Sequence, residues 1–348
     1  MPMYAINGLA YLMESHRGME LQSWLPRDAT TEPIITAHRN VVYYSDSFIY
    51  HADGSLESAL TMDKPSEDSM QQSTQSIVSS LNLHSDQHVF AIAVNRWANN
   101  YYHWVAQGMA SWALLLDHQK KRKEDRRLVL LAPHIFKSFQ FQWLTVLGGD
   151  YITIPRKYAI ATGTCLATSS SHLNPCRSSV QRLRSLALSS LKAWLRNAPE
   201  SVLSGLPVKI DRIFLSRGVK GARAIHNEWE LAEQMGSAGF TIIDAEKYSV
   251  LQQIYIFSRA RTIVGFHGAG LTNLIFADSS CELIELAIVG MHNDCFKRLA
   301  ALLPLKRYSK LHVEAQPQSS GTALTLEINV QSVGLAIESL LEDHPSST

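Results

Sequence analysis

The residues best equipped for chemistry lie in the stretch Thr262-Ile263-Val264-Gly265-Phe266-His267-Gly268-Ala269-Gly270-Leu271-Thr272-Asn273. Ile263 and Val264 form a β-branched apolar run that reads as a buried strand. Gly268 and Gly270 then bracket a turn. There the backbone can approach a ligand closely, or take a positive φ where one is required. A helix starting at this turn would aim free N–H groups and the positive end of its dipole at whatever the turn holds. A histidine placed there can donate a hydrogen bond to an anion, so a phosphate-bearing ligand is the natural reading. A tight strand-to-helix turn with a structural histidine would look the same from this stretch alone.

A second group of residues lies upstream. Ser216-Arg217 ends another apolar run, and Arg223 follows in a loop that contains Gly218 and Gly221. A guanidinium fork suits bidentate binding of a phosphate. Asn227 to Glu230 fits a capping box, with Asn227 capping a helix and Glu230 reaching back. Capping does not account for Glu228. Ser249 and Gln252 make a second capping box, which leaves Gln253 unexplained in the same way.

In the first half, Asn99-Asn100-Tyr101-Tyr102-His103-Trp104 opens a long helical pattern. Asn100 suits a cap. Tyr101, Tyr102 and Trp104 have the chemistry either to stack on a sugar or simply to pack. His103 has the chemistry of a general base near neutral pH, although a lone histidine at a helix start is commonly structural. His84 and His88 show no metal-ligand spacing and read as exposed. There is no Asp-x-Asp pair, so no carboxylate site for a nucleotide-bound divalent cation is evident.

These residues need elements to position them. Val41-Val42-Tyr43-Tyr44 and Ser47-Phe48-Ile49-Tyr50 read as short strands, and Asp63 to Gln75 as an exposed polar stretch. From residue 88 the pattern alternates. His88 to Val94 is a strand, and Tyr101 to His118 a helix with Val105, Met109, Trp112 and Leu116 facing a core. Leu128 to Leu131 is a strand, Pro133 to Leu147 a helix with proline in its first turn and Gly148 at its end, and Tyr151 to Ile154 a strand. Ser169 to Pro207 interrupts this rhythm. Within it lies one amphipathic helix with Val180, Leu183, Ala187, Leu191 and Trp194 on one face. Arg177, Arg182, Arg184, Lys192 and Arg196 cover much of the rest. Such a basic helix can lie on a membrane surface; more often it is a connecting helix with a solvated face.

A second alternation follows. The spacing predicts strands at Arg212 to Ser216, Phe240 to Ile243, Thr262 to Phe266, Leu283 to Leu286 and Ala323 to Val330. It predicts helices at Asn227 to Ser237, Ser249 to Arg259, His292 to Leu302 and Val333 to Leu341. Alternation of this kind gives a mostly parallel sheet with helices on its faces. In open α/β sheets ligands bind outside the carboxyl ends of the strands, which is where Arg217 and His267 fall. The expected division is an N-terminal domain over 1–168, a linker with its helix over 169–207, a second domain over 208–331 and a C-terminal helix and tail over 332–348.

The chain has 348 residues, enough for two cores, with 46% hydrophobic residues and a net charge of +1. No global field draws it to nucleic acid. No apolar run is long enough to span a bilayer, and the first 18 residues lack the basic start and apolar core of a signal peptide. Cys165, Cys176, Cys281 and Cys295 match no zinc motif and read as reduced thiols. With no Asn-x-Ser/Thr sequon, the expectation is a cytoplasmic protein, with the basic helix leaving peripheral contact with the inner face of the membrane open.

Taken together, these residues resemble glycosyltransferase family 61. Members share an Asn-x-x-His segment, here Asn100 to His103. They share an arginine-rich loop ending in Asn-Glu, here Arg217, Arg223 and Asn227-Glu228. A Gln then precedes the strand leading to His-Gly-Ala-Gly-Leu-Thr-Asn, here Gln253 and His267 to Asn273, and a Glu follows near the next strand, here Glu285. The match is specific from about Arg212 to Leu286 and weaker from Val89 to Leu116.

The resemblance implies an α/β, GT-B-like fold, with two Rossmann-like halves facing a central cleft. It implies a nucleotide-sugar donor as substrate with no separate cofactor, a glycan or glycolipid acceptor, inversion at the anomeric centre and no metal site. Arg217, Arg223, Asn227, Glu228, Gln253, His267, Gly268, Ala269, Gly270, Asn273 and Glu285 would surround the donor. Asn100, Tyr102, Trp104 and Gln107 would lie on the acceptor side, and His103 and His267 are the catalytic candidates of this chain. One position departs from the pattern. Members commonly carry Asp or Glu four residues after the motif histidine, the usual candidate for the base, and this chain has Gln107. An amide does not accept a proton at neutral pH. Either His103 or another carboxylate takes the role, or the protein binds a sugar nucleotide or glycan without catalysis. A transferase of similar architecture with another donor, such as a polysaccharide pyruvyl transferase, is a third reading.

Overall fold

The computed structural model describes residues 35–44, 49–50, 79–83, 86–95, 97–122, 125–133, 137–155, 158–168, 175–217, 224–290, 293–318 and 325–342. The expectations for Asp63 to Gln75, His84 and Arg223 lie outside these residues. The chain divides into two compact units, Met1–Ala187 and Leu188–Thr348.

The first unit is built on a mixed sheet of seven strands: β1 (Ile35–Tyr44), β2 (Ile49–Tyr50), β3 (Ser79–Leu83), β4 (His88–Ile92), β5 (Arg127–Pro133), β6 (Asp150–Ile154) and β7 (Tyr158–Thr168). Their order is β2-β1-β7-β4-β5-β6, and β3 also pairs with β7. β7 is the organising strand. Its whole length runs antiparallel to β1, while its other edge takes β3 and then β4, both parallel. The alternation of the sequence does not reveal β7, because Tyr-Ala-Ile-Ala-Thr-Gly-Thr-Cys-Leu-Ala-Thr offers small residues where a strand usually shows bulky ones. Small residues suit it, since it is buried along most of its length in the middle of the sheet. Tyr43, Phe90, Ile92, Val129, Leu131, Ile154 and Ile160 fill one core around it.

Helices connect these strands. The predicted helix over Tyr101 to His118 is present and runs on to Arg122, but it is not regular. His103–Met109 is wound as a π-helix, and α1 (Ala110–Arg122) continues it as an ordinary α-helix. At the junction the Ala110 N–H reaches back to the carbonyl of Val105. Val105, Met109 and Trp112 are buried as expected. The predicted helix over Pro133 to Leu147 is corrected. Pro133 ends β5, and α2 spans Ser138–Leu147, closing at Gly148, whose N–H bonds the Leu144 carbonyl at 2.9 Å with φ of 71°. Proline at a strand end satisfies the same backbone restriction as proline at a helix start, so the residue alone did not decide.

The amphipathic helix of the interrupting segment is α3 (Arg177–Asn197), with Val180, Leu183, Ala187 and Leu191 buried. Among its basic residues, Arg182 pairs with Asp117 of α1 at 2.7 Å. A short α4 (Glu200–Leu203) follows.

The second unit carries a wholly parallel five-stranded sheet. Its strands are β8 (Arg212–Ser216), β9 (Thr241–Asp244), β10 (Thr262–Phe266), β11 (Glu282–Ile288) and β12 (Arg307–Val313), in the order β9-β8-β10-β11-β12. Counted from β8, this is the doubly wound order 2-1-3-4-5. Helices α5 (Glu228–Ser237), α6 (Val250–Arg259), α7 (Cys295–Ala301) and α8 (Val330–Glu342) surround it, with a 3₁₀ run at Ala269–Phe276 after β10. Leu231 and Met235 of α5 share a core with Val333 and Ile337 of α8 and with Phe214, Val264 and Ile284 of the sheet. α8 is thus part of this core and not a tail beyond it. α6 and α7 both pack on the 3₁₀ run. A hairpin of β13 (Ala315–Gln318) and β14 (Thr325–Ile328) completes the unit. β12 and β13 are additions to the sequence reading, since Arg307 to Gln318 is mixed in polarity and half-exposed.

Candidate active site

Adjacent strands at the point where a doubly wound sheet reverses its order leave room beyond their carboxyl ends. Here those strands are β8 and β10, and Arg217 and His267 are the residues that follow them. The Arg217 backbone N–H donates to Glu228 Oε1 at 2.8 Å, and its Nη1 donates to the His267 carbonyl at 2.8 Å. Glu228, the first residue of α5, is buried. It fixes the backbone from which the arginine springs. A β-carbon added to Gly268 would meet Arg217 Nε at 3.1 Å and its Cδ and Cζ at 3.3 Å. The glycine therefore serves close approach of the guanidinium. Its φ of −177° is extended backbone, and the positive φ that the sequence allowed at Gly268 and Gly270 is not used.

His267 is held from behind. Its Nδ1 lies 2.5 Å from Glu285 Oε1, and the Tyr308 hydroxyl donates to Glu285 Oε2 at 2.5 Å. Glu285 is wholly buried on β11, so its carboxylate is compensated by these two donors. Burial, then the hydrogen bond to Glu285, pushes the Tyr308 phenol far above its ordinary range. Tyr308 is therefore the donor of that pair. With Nδ1–H donated to the carboxylate, the ring turns Nε2 away from Glu285. Phe296 packs edge-on against the imidazole, ring centroids 4.9 Å apart. Cys295, beside it, is pushed up to about 11 by burial and then by the Glu285 charge, which makes it an inert thiol.

The helix expected after the turn is an eight-residue 3₁₀ run, with Gly268 at its start. Its opening N–H groups, at Ala269 and Gly270, are those a helix start does not use internally. Its far side is stapled down. Gln253 Nε2 donates to the carbonyls of Ala245 and Tyr248, both at 2.9 Å, and Gln253 Oε1 accepts from Asn273 Nδ2 at 2.8 Å. Gln253 and Asn273 thus tie the 3₁₀ run to the turn before α6. Asn227 is corrected as a cap. It makes no side-chain cap; its amide donates to the Ile328 carbonyl at 2.8 Å and accepts from the Ile328 N–H at 3.1 Å. It pins the start of α5 to β14. The Ser249–Gln252 capping box is present as read.

In the first unit the π-helix carries the corresponding residues. Asn100 Oδ1 accepts from the Tyr102 N–H at 2.9 Å, closing the turn before it. His103 Nδ1 lies 2.7 Å from Gln107 Oε1, and Asn95 Nδ2 donates to that same oxygen at 2.8 Å. Asn95, three residues beyond the carboxyl end of β4, was not legible as a site residue, since nothing in its neighbours marks it. Trp104 is fully buried, the packing alternative that the sequence left open. Tyr102 is buried too, with its ring edge-on to His103. The exposed aromatic is Trp97, 44% exposed, with its ring centroid 6.3 Å from that of His103. Among the described residues no cluster of three metal-ligating side chains occurs, and no helix is long and apolar enough to cross a membrane.

A doubly wound parallel sheet with a cationic side chain and a carboxylate-backed histidine at its switch point has the form of an α/β ligand-binding site. The family model described as Glycosyltransferase 61 matches residues 101–284, more than half of the chain, and the chain belongs to that family. It is a glycosyltransferase that works on a nucleotide-sugar donor. The match spans His103, Gln107, Arg217 and His267 and stops one residue short of Glu285. No curated protein matches the chain.

Proposed function

We propose that this glycosyltransferase is inverting and metal-independent, and that it adds a sugar to a glycan or glycolipid acceptor in the synthesis of a surface polysaccharide. The architecture we assign is GT-B, with the second unit holding the donor and the first presenting the acceptor across a cleft. The observation that carries this reading is the convergence of Arg217, His267 and buried Glu285 at the β8–β10 switch point.

In this reading the donor diphosphate lies against the Arg217 guanidinium and the start of the 3₁₀ run, with Arg223 as a second cation. His103 Nε2 takes the proton of the acceptor hydroxyl as its oxygen attacks the anomeric carbon. The bond from that carbon to the diphosphate oxygen breaks, and negative charge grows on the leaving group. His267, protonated on Nε2 with Glu285 as counter-ion, donates to it, and Arg217 shares the charge. Exposed Trp97 beside His103 supplies an apolar face for the acceptor sugar. Placement in the cytoplasm, against the inner membrane face where lipid-linked acceptors reside, follows from the acceptor class proposed.

The test is a screen of nucleoside diphosphates by calorimetry, followed by nucleotide release from the matching sugar nucleotide with glycan and glycolipid acceptors. Binding of one nucleoside diphosphate, abolished in Arg217→Ala, with release that needs acceptor, is the expected result. Binding without release under any acceptor would favour a non-catalytic binder. Absence of any nucleoside diphosphate binding would overturn the assignment.

A further inference from the structure

The hydrogen bonds around Gln107 form a directed chain with a single consistent assignment of protons. It begins at a group whose role is not open to choice: the backbone N–H of Trp97 donates to Asn95 Oδ1 at 3.0 Å. A backbone N–H is only a donor, so the oxygen end of the Asn95 amide faces Trp97 and its NH₂ end faces Gln107. That NH₂ donates at 2.8 Å, so Gln107 must present its oxygen there. The same Gln107 oxygen lies 2.7 Å from His103 Nδ1. An amide oxygen only accepts, and the imidazole must therefore carry its hydrogen on Nδ1. Asn95 and Gln107 are each 2% exposed, so no bulk water competes for these positions. The π-helix sets the geometry, placing His103 and Gln107 about one wide turn apart so that the two side chains meet.

We propose that the Asn95–Gln107 amide pair is a tautomer lock, which holds neutral His103 as the Nδ1–H form and so leaves the Nε2 lone pair as the proton acceptor for the reaction. This rests on the reading of His103 as the base. It changes the meaning of the family departure at 107. A carboxylate there would orient the ring as well, but would also favour the charged imidazolium, which cannot act as a base. The amide orients without charging. Beside the ring stand Tyr102, edge-on at 5.5 Å between centroids, and Trp97, 6.3 Å away, with Gln107 at Nδ1. Gln107 is then a positioning residue.

The readout is the imidazole nitrogen spectrum of the full chain labelled with ¹⁵N-histidine, with His103 assigned by its loss in His103→Gln. The expected wild-type signature is a protonated Nδ1 and an unprotonated Nε2 above the titration of the ring. An Nε2–H signature, or an even mixture, overturns the lock. Asn95→Asp is near-isosteric but accepts only. It should swing the Gln107 NH₂ toward both neighbours and move the His103 hydrogen to Nε2. Turnover should fall about 10²–10⁴-fold, the usual span for loss of a general base, with nucleoside diphosphate affinity unchanged.

Gln107→Glu keeps an acceptor opposite Nδ1. It should retain the Nδ1–H signature and restore turnover at high pH, with the acidic limb of the rate profile displaced upward. Gln107→Met keeps the volume and removes the acceptor; wild-type turnover and pH profile in this variant would overturn the proposal even if Asn95→Asp fails to fold. If the lock is seen in the spectrum but His103→Ala turns over normally, the lock stands and the assignment of the base fails.

Discussion

The Arg217 guanidinium rests on the backbone of Gly268, where an added β-carbon would stand 3.1 Å from Nε. This contact is tighter than ordinary van der Waals packing but involves a side-chain end that can shift by tenths of an ångström. Gly268→Ala should therefore fold normally, since its φ of −177° suits any residue, yet move the guanidinium away from its phosphate. We expect nucleoside diphosphate affinity to drop about threefold to tenfold in Gly268→Ala, less than the tenfold to hundredfold for Arg217→Ala that losing a charge-assisted bond of roughly 1.5–3 kcal/mol implies. Calorimetry orders the two variants. Gly265→Ala is the contrasting case, because its β-carbon would meet Leu215 Cβ at 3.0 Å and the Leu215 carbonyl oxygen at 3.2 Å. Inside a parallel sheet neither yields, so this variant should lose about 1–3 kcal/mol of stability in urea unfolding.

His267 and Glu285 should separate binding from chemistry. His267→Ala removes a donor that matters most when the leaving diphosphate gains charge. Its kcat should fall by more than its nucleoside diphosphate affinity. Glu285→Gln keeps the shape but removes the counter-ion, and Tyr308 and His267 then lose the carboxylate that receives both of their hydrogens. It should follow the His267→Ala pattern with a smaller loss. Intact turnover with weakened binding in either variant would make His267 a positioning residue only.

The second unit was largely legible because its strands are β-branched and its helices carry their stop signals. The strands β8 and β10, the Ser249–Gln252 cap and the glycine turn all fall where the pattern put them. Single-residue roles were harder to read. Asn227 followed by Glu230 fits a capping box in sequence, yet the backbone edge of β14, a hundred residues on, offers Asn227 both a donor and an acceptor, and two bonds outcompete one cap. In the first unit the π-winding at His103–Met109 leaves no trace in a 3.6-residue period, because it is set by what packs on the helix. Glu285 was visible from family likeness, whereas Tyr308, its second donor, lies in a strand that the pattern did not show.

Activity should persist in excess EDTA. The positive partners proposed for the diphosphate are the Arg217 and Arg223 guanidiniums and the N–H groups at Ala269 and Gly270. Turnover measured with and without chelator should agree within error. A complete loss restored by Mn²⁺ or Mg²⁺ would place a cation at the diphosphate and displace Arg217 from that role.

The amino end of β11 begins with a different charge cluster, and its pH dependence can be signed. Glu282 receives Lys306 at 2.6 Å and Arg307 at 2.7 Å, and Arg307 also donates to the Leu340 carbonyl at 2.6 Å, tying β11 and β12 to the end of α8. Burial pushes the Glu282 carboxyl up, but the hydrogen bonds and charges of Lys306 and Arg307 outweigh it and hold the group below its ordinary 4.5. A carboxyl depressed in the folded state contributes stability that is fully present above its unfolded value and lost as pH falls through its folded value. Glu282→Gln should therefore melt a few degrees below wild type at pH 7, as a change on the order of 1 kcal/mol would produce in a protein of this size. The gap should begin to close as pH drops below 4.5 and vanish once the folded carboxyl is protonated. Nucleoside diphosphate affinity measured at pH 7 should be unchanged, since Glu282 lies at the opposite end of β11 from His267 and Glu285 reaches the ring from its own strand position. A melting difference that stays constant from pH 7 down to pH 3 would show that Glu282 contributes packing and not charge.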